Sequence, residues 1–236
     1  MASNSHIVIL TGAGISAESG VPTFRDADGL WEGHRVEEVA SPDGFKSNPE
    51  LVHRFYNLRR EALSTVHPNE AHRALARLQQ EHAGQVTIIT QNVDDLHERS
   101  GSANVLHMHG ELLKARCTFC EKVIEWQGAL DSTATCVACK KTGSLRPDIV
   151  WFGEMPFYME AISQALASAT IFAAIGTSGY VYPAAGFVSL AREYGAVTLE
   201  INNTGTQTSA YFDRHLIGPA TEQVPRFVEQ MLLGQI

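Results

Sequence analysis

The chain has 236 residues, 44% of them hydrophobic and 19% charged. That is enough to bury a full core and too apolar for a disordered segment, so one domain is expected, with room for a smaller inserted lobe. A formal net charge of -8 speaks against broad nucleic-acid or anionic-membrane binding, and neither partner is expected. The first residues carry no basic segment, and the apolar run Ile7-Val8-Ile9-Leu10 is far too short for a leader or a membrane span. A cytoplasmic monomer is therefore the expectation.

In chain order, Ile7 to Leu10 reads as a buried strand that runs into Thr11-Gly12-Ala13-Gly14-Ile15-Ser16-Ala17 and a short helix up to Gly20. Gly12-x-Gly14-x-x-Ala17 fits the turn that brings backbone N–H groups and a helix N-terminus against a pyrophosphate, though a tight turn alone would look the same. No second strand ends in an acid about twenty residues on, where a dehydrogenase would hold the ribose hydroxyls. Residues 21–45 are rich in Gly, Pro and charge without periodicity, which suggests a long loop acting as a lid. A helix is expected over Pro49–Ser64, with Asn48 as N-cap and one stripe formed by Leu51, Phe55, Leu58 and Ala62. Beside it, Val52, Tyr56, Arg59 and Leu63 form a second stripe that places a phenol and a guanidinium together. That pair is either solvated surface or a carboxylate receptor, since the guanidinium fork can hold both oxygens. A further helix is expected over Glu70–Gln80.

Val86 to Thr90 is the next expected strand and ends at Thr90-Gln91-Asn92-Val93-Asp94; a short one follows at Val105–His107. In an α/β sheet ligands sit at the carboxyl ends of the strands. His107 and His109 alternate along the chain and are expected to face one side. His109, followed by a glycine that lets a ligand approach, is a general-base candidate because its pKa lies near neutrality. Gln91, Asn92 and Asp94 could equally be turn formers, and His97 in its helix-like run needs no role. Lys114 to Gly143 is an insertion of different composition. Cys117-x2-Cys120 and Cys136-x2-Cys139, fifteen residues apart, have zinc-ribbon spacing, and four thiolates leave no position open for water, so the metal would be structural. Ile171–Ile175 runs into Gly176-Thr177-Ser178-Gly179, a helix is expected from about Ala184 to Tyr194, and Ala196–Ile201 ends at Asn202-Asn203. Strands alternating with helices indicate the α/β class with a doubly wound parallel sheet. Gly176, Thr177, Ser178 and Asn202 suit phosphate and ribose contacts; each alone is as readily a loop cap.

Taken together these residues resemble the sirtuins, NAD-dependent protein lysine deacylases, over nearly the whole chain. Gly12-Ala13-Gly14-Ile15-Ser16, Gly20-Val21-Pro22-Thr23-Phe24-Arg25, Thr90-Gln91-Asn92-Val93-Asp94, His109-Gly110, the four cysteines, Val150-Trp151-Phe152-Gly153-Glu154 and Gly176-Thr177-Ser178 follow that family's motifs in its order. Tyr56-x-x-Arg59 resembles the pair that marks the class III branch, where it binds the terminal carboxylate of succinyl- or malonyl-lysine. His107-Met108-His109-Gly110-Glu111-Leu112 and Val181-Tyr182-Pro183-Ala184-Ala185-Gly186 are similar to the branch's bacterial CobB-type members. Thr23 stands where many sirtuins of other classes carry Asp, a departure the class III pattern tolerates.

The resemblance implies one catalytic domain over 1–236. A Rossmann-like large lobe would comprise 1–32, 66–112 and 148–236, and a small lobe the insertions 33–65 (helical) and 113–147 (zinc-binding). It implies NAD as co-substrate, with the pyrophosphate at Gly12, Ala13, Gly14 and Ser16 and the adenosine near Gly176, Thr177, Ser178, Asn202 and Ala220. The nicotinamide would lie near Asn92 and Asp94, with Phe24 and Arg25 closing over its ribose and Trp31 also in the cofactor set. Gln91 would orient that ribose, and His109 would act as base toward its hydroxyls. Acylated-lysine proteins would bind as extended peptides along Val150, Phe152 and Gly153 and along Gly179, Tyr180 and Val181, by β-strand addition. Removal of acetyl, succinyl and malonyl groups would yield nicotinamide, O-acyl-ADP-ribose and free lysine, with one structural zinc ion holding the small lobe. Two other readings stand beside this one: a protein mono-ADP-ribosyltransferase, and a non-catalytic NAD-responsive zinc module, against which His109 speaks.

Overall fold

A computed structural model of the chain describes residues 5–23, 31 and 33–235. Phe24 and Arg25 lie outside the described residues.

Strand β1 (His6–Thr11) is buried along its whole length, which is why it reads as an unbroken apolar run: Ile7 and Ile9 enter one core, Val8 and Leu10 the other. The short helix expected after it is two successive 3-10 turns, Ala13–Ile15 and Ala17–Ser19, ended by Gly20 at φ 92°. Among the described residues of the expected lid, part is helical rather than loop. Helices α1 (Val36–Val39) and α2 (Pro42–Ser47) lie at its end, α2 running past 45, and each is too short to show a periodic pattern. The Ser41 hydroxyl accepts from Gly44 N–H, and Pro42 opens α2.

Helix α3 (Pro49–Leu63) starts where its cap residues indicate, with Asn48 Oδ1 accepting from Leu51 N–H at 3.0 Å. Its buried face is Val52, Phe55, Tyr56 and Leu63, together with His53 and Arg60. The first expected stripe therefore divides: Phe55 is inside, whereas Leu58 is 58% exposed. Helix α4 (Glu70–Glu81) is capped by Asn69, whose side-chain oxygen accepts from Ala71 and His72 N–H. Strand β2 (Gln85–Thr90), helix α5 (Leu96–Arg99) and the two-residue strand β3 (Leu106–His107) follow.

The cysteine-bearing segment is organised by its own antiparallel sheet, in the order β5-β4-β6, built from β4 (Gly110–Cys117), β5 (Val123–Glu125) and β6 (Leu145–Ile149). Strands β4 and β6 run past the limits 113–147 expected for the insertion. Thereafter α6 (Met159–Ser168), β7 (Ile171–Ile175), a 3-10 turn Ala184–Gly186, α7 (Phe187–Glu193), β8 (Val197–Asn202), β9 (Arg214–Ile217) and α8 (Ala220–Leu233) complete the chain.

The large sheet has six strands in the order β3-β2-β1-β7-β8-β9, and every adjacent pair is parallel. From β1 the chain winds outward through β2 and β3, and from β7 outward through β8 and β9, so the winding reverses between β1 and β7. One face is covered by α4 and α8, the other by α6 and α7. This is the doubly wound arrangement, and its ligand crevice lies above the carboxyl ends of β1 and β7. A third core joins α3 to Leu112, Ile149 and Trp151. No described helix is long and apolar enough to cross a membrane.

Candidate active site

A crevice of about 970 Å³ opens at that reversal point, at the upper end of the roughly 300–1,000 Å³ usual for small-molecule sites. The turns after β1, β7 and β8 contribute Gly12, Ala13, Gly14, Gly176, Thr177, Ser178 and Asn202; the loop after β2 contributes Gln91, Asn92 and Asp94; His109 joins them. The same crevice is lined by Trp31, Tyr56, Arg59, Val150, Phe152, Gly153, Tyr180 and Val181. Among the described residues, three of those expected at the cofactor or the peptide do not line it. Ser16 is wholly buried behind it, Gly179 packs against Thr208, and Ala220 opens α8 within the core.

The glycine turn is bare backbone by necessity. Gly14 N–H donates to Gly176 O at 2.9 Å. A Cβ on Gly12 would lie 2.7 Å from that oxygen, and one on Gly14 would lie 2.6 Å from Gly176 Cα. Gly176 itself sits at φ +62°, where an added Cβ would meet Ile15 N at 2.5 Å. Two turns interlocked without side chains leave a cradle into which a pyrophosphate can approach the backbone closely, and the residues present fit NAD. Asn202 Nδ2 donates to Thr177 O at 2.8 Å, pinning the β7 turn from β8.

The β2 loop is held from below by side chains that also face the crevice. Asp94 is 5% exposed; its Oδ1 accepts from Leu96 N–H at 3.1 Å and its Oδ2 from the Ser16 hydroxyl at 3.0 Å. Burial pushes its pKa up, against the pull of those two bonds. Asn92 Nδ2 donates to Ser16 Oγ at 3.1 Å. These residues are turn formers and crevice residues at once. Ser16 thereby supports the loop.

His109 sits in the turn between β3 and β4 rather than alternating with His107 along one strand, because Gly110 at φ +84° turns the chain. Its Nδ1 lies 3.1 Å from the Gln91 carbonyl oxygen. A carbonyl can only accept, so Nδ1 carries the proton and Nε2 the lone pair. Burial lowers the pKa of His109 below the ordinary 6.5, and the Gln91 carbonyl opposes this only in part. The ring is thus neutral and base-ready at neutral pH. His97, given no role from the sequence, is fully buried against Thr11 Oγ1 at 3.0 Å.

Tyr56 is completely buried, and burial raises its phenol well above the ordinary range, so it is a neutral hydroxyl. Trp151 Nε1 donates to its oxygen at 3.1 Å. Among the described residues the Tyr56 O–H meets no acceptor, which leaves its proton to give. Arg59, one turn on, donates through Nη1 to Phe55 O at 2.7 Å. Its guanidinium carbon lies 3.2 Å from the Phe55 ring centroid and 4.8 Å from that of Trp31. Trp31, expected with the cofactor, thus also packs on Arg59. Behind them Arg146 holds Glu154 through two bonds of 2.7 Å and lies 3.6 Å from the Trp151 ring centroid, and Glu154 accepts from Trp151 N–H at 2.9 Å.

The N–H groups of Val150 and Phe152 are committed to His109 O and Ala40 O. A peptide added along this segment would therefore have to use its carbonyls. Residues not anticipated from the sequence also line the crevice: Leu112, Ile149 and the run Asn203–Gln207. The polar character of that run after a strand end is the signal that could have found it.

The four cysteine sulfurs lie within 4.8 Å of one another, with Cys117–Cys139 and Cys120–Cys136 each at 3.7 Å. That is too long for disulfides, near 2.05 Å. It matches the spacing of about 3.8 Å that a tetrahedral Zn–S shell of about 2.3 Å requires. Cys117 Sγ donates to Ser144 Oγ, whose own proton goes to Lys141 O, and Phe119 N–H donates to Cys117 Sγ at 3.4 Å, an N–H contact that suits the thiolate a zinc ligand must be. The module's own core is only Ala115, Cys117, Leu130, Cys136 and Leu145 with a few flanking residues. The four cysteines fit a structural zinc ion.

The fold and site define a doubly wound α/β protein with a dinucleotide-type crevice beside a four-cysteine module. Residues 12–183 match the model of the Sir2 family. The NAD-dependent protein deacylase of Pasteurella multocida (strain Pm70) is 54% identical over 234 residues, covering 98% of this chain and 100% of that protein. A solved Sir2 homolog–NAD complex superimposes with a TM-score of 0.88 at 40% identity, over 98% of this chain and 91% of that one. A Sir2 protein bound to a myristoylated histone peptide does so with a TM-score of 0.74 at 32% identity, over 96% and 90%. The chain belongs to the Sir2 family.

Proposed function

We propose that the chain is an NAD-dependent protein lysine deacylase that removes acetyl groups and, through Tyr56 and Arg59, succinyl and malonyl groups. The observation that carries this reading is one crevice lined at once by the glycine turn, by a base-ready His109 and by the Tyr56–Arg59 pair. Relatives carry the deacylase name, and a family member holds an acylated histone peptide. NAD held in the glycine cradle would supply a ribose carbon made electron-poor as its pyridinium ring departs as neutral nicotinamide with the bonding pair.

The chain's own groups then act around that centre. His109 Nε2 takes a proton from a ribose hydroxyl, and the imidazolium so formed keeps its Nδ1–H bond to Gln91 O, which stabilises the charge. Asn92 and Asp94 face the nicotinamide side, with Ser16 locking both. Tyr56 donates its O–H to an acyl carboxylate while Arg59, held against Phe55 and Trp31, offers its guanidinium fork. Acyl-lysine proteins enter as extended peptides along the segments after β6 and β7. Because the third core packs α3 against β4 and β6, the helical and zinc insertions are read as one smaller lobe.

The test is to incubate the protein with NAD labelled in its ADP-ribose and with acetyl- and succinyl-lysine peptides. Equal release of nicotinamide, free lysine and labelled O-acyl-ADP-ribose is expected. Label retained on protein with no lysine released would establish an ADP-ribosyltransferase instead.

A further inference from the structure

His107 ends β3, is 3% exposed, and has acceptors on both ring nitrogens. Nδ1 lies 3.2 Å from the Asn92 carbonyl oxygen and Nε2 lies 2.8 Å from Glu98 Oε1. A carbonyl has no proton to give and a carboxylate has none either, so satisfying both contacts takes two N–H groups, which only the imidazolium has. His109 makes the parallel contact to the preceding carbonyl, Gln91 O. Two histidines thus grip successive carbonyls of the loop after β2, one with its second nitrogen left for chemistry and the other with its second nitrogen spent on α5.

We propose that His107 is a positioning residue: as an imidazolium bridging Asn92 to Glu98 it holds the Gln91–Asp94 loop in its working shape, and loss of its proton ends activity on the alkaline side. The role of the loop rests on the deacylase reading above. When one proton is lost, the remaining one stays on Nε2, because the charge-assisted bond to Glu98 is the stronger. Nδ1 then turns a lone pair on the Asn92 carbonyl oxygen in a dry site, and the loop must move.

The charged and titratable groups around the ring favour its proton. Burial alone would lower its pKa, but the Glu98 hydrogen bond and charge, the Glu111 charge from β4 and the Asn92 carbonyl outweigh burial and leave it above 6.5. Glu111 is itself bound to Lys114 at 2.6 Å. Asp94 in the loop also feels the His107 charge. The neighbouring His97 is held well below its ordinary value, first by burial and then by His72 and His107, and adds no competing charge. The sign follows: with the folded pKa raised, the bridge is intact below the ordinary value and is lost as pH rises through the folded one. His109 fails in the opposite direction, so two histidines two positions apart would bound a bell-shaped profile.

The experiment compares kcat/KM for NAD from about pH 5.5 to 9.5 for the zinc-loaded wild type, Glu98→Gln and His107→Asn, and records ring-nitrogen NMR of His107. With the Glu98 charge removed, the alkaline limb should move to lower pH by about one unit, with KM for NAD rising more than kcat falls. The His107→Asn amide can donate without titrating, so its alkaline limb should flatten. A merely structural role would lower activity at every pH and move neither limb. An unmoved alkaline limb in Glu98→Gln, or a single protonated His107 nitrogen near neutral pH, would overturn the proposal. Glu98→Gln alters an exposed side chain and keeps the test open if His107→Asn does not fold. The nitrogen spectrum needs no turnover, so it separates failure of this inference from failure of the deacylase reading.

Discussion

Replacing Tyr56 with Phe tests the acyl side of the crevice and the bond that orients it. The substitution removes one oxygen from a side chain with no exposed surface, and with it both the acceptor for Trp151 Nε1, 3.1 Å away, and the proton proposed to meet the acyl carboxylate. Trp151 is 2% exposed, so its N–H is left unpaired in a dry site at a cost of about 1–3 kcal/mol. A hydrogen bond to a charged group is worth about 1.5–3 kcal/mol, so the ratio of succinyl to acetyl kcat/KM should fall by roughly 10- to 100-fold. The assay pairs that ratio with urea denaturation for Tyr56→Phe, Trp151→Phe and the double variant. Because each single change orphans the other's polar group, the double variant should lose less stability than the sum of the singles. Additive losses, or an unchanged acyl ratio in Tyr56→Phe, would refute the arrangement of phenol, indole and acyl carboxylate.

Two other changes probe the seat of the cofactor and the metal module. Gly176→Ala puts a Cβ within 2.5 Å of Ile15 N at φ +62°. The left-handed backbone alone costs ~1–2 kcal/mol, and the clash adds to it, so calorimetry should show NAD affinity lost by tenfold or more together with a lower Tm. Cys120→Ser, or a strong chelator, should release one zinc per chain and lower Tm, because the module's own core is so small. An unchanged Tm after metal removal would count against a structural ion.

Much of the sheet is legible because its strands are buried on both faces. Ile7–Leu10 and Ile171–Ile175 are short apolar runs bounded by glycine turns, and their polar termini mark the crevice. The cysteine pairs are legible because a ribbon fixes ligand spacing along the chain. Strand β9 is not, since its Arg214-His215-Leu216-Ile217 sequence lies at a largely exposed edge. Helix α8 carries Pro225 inside it, a residue that ordinarily ends a helix.

Periodicity alone does not say which stripe of α3 is the core. Both stripes carry apolar residues because Phe55 of one and Val52 of the other are buried, while Leu58 and Ala62 of the first and Tyr56, Arg59 and Leu63 of the second line the crevice. The Trp151–Tyr56 bond joins residues 95 positions apart, and the Arg146–Glu154 pair only meets once β6 and its turn have formed. Such pairings belong to the packed structure, and local pattern does not hold them.

The proposed deacylation rests on His109 acting as the base. Its most direct test is the pH dependence of kcat/KM for wild type beside His109→Ala, with NAD binding followed separately by calorimetry. Since burial lowers the folded pKa of His109 below 6.5, activity should hold through neutrality and fall only as pH drops through that lower value, where Nε2 becomes protonated. His109→Ala should still bind NAD while turnover falls by about 10²–10⁴-fold. A flat acid limb in the wild type, or an alanine variant that still deacylates at the wild-type rate, would contradict the account.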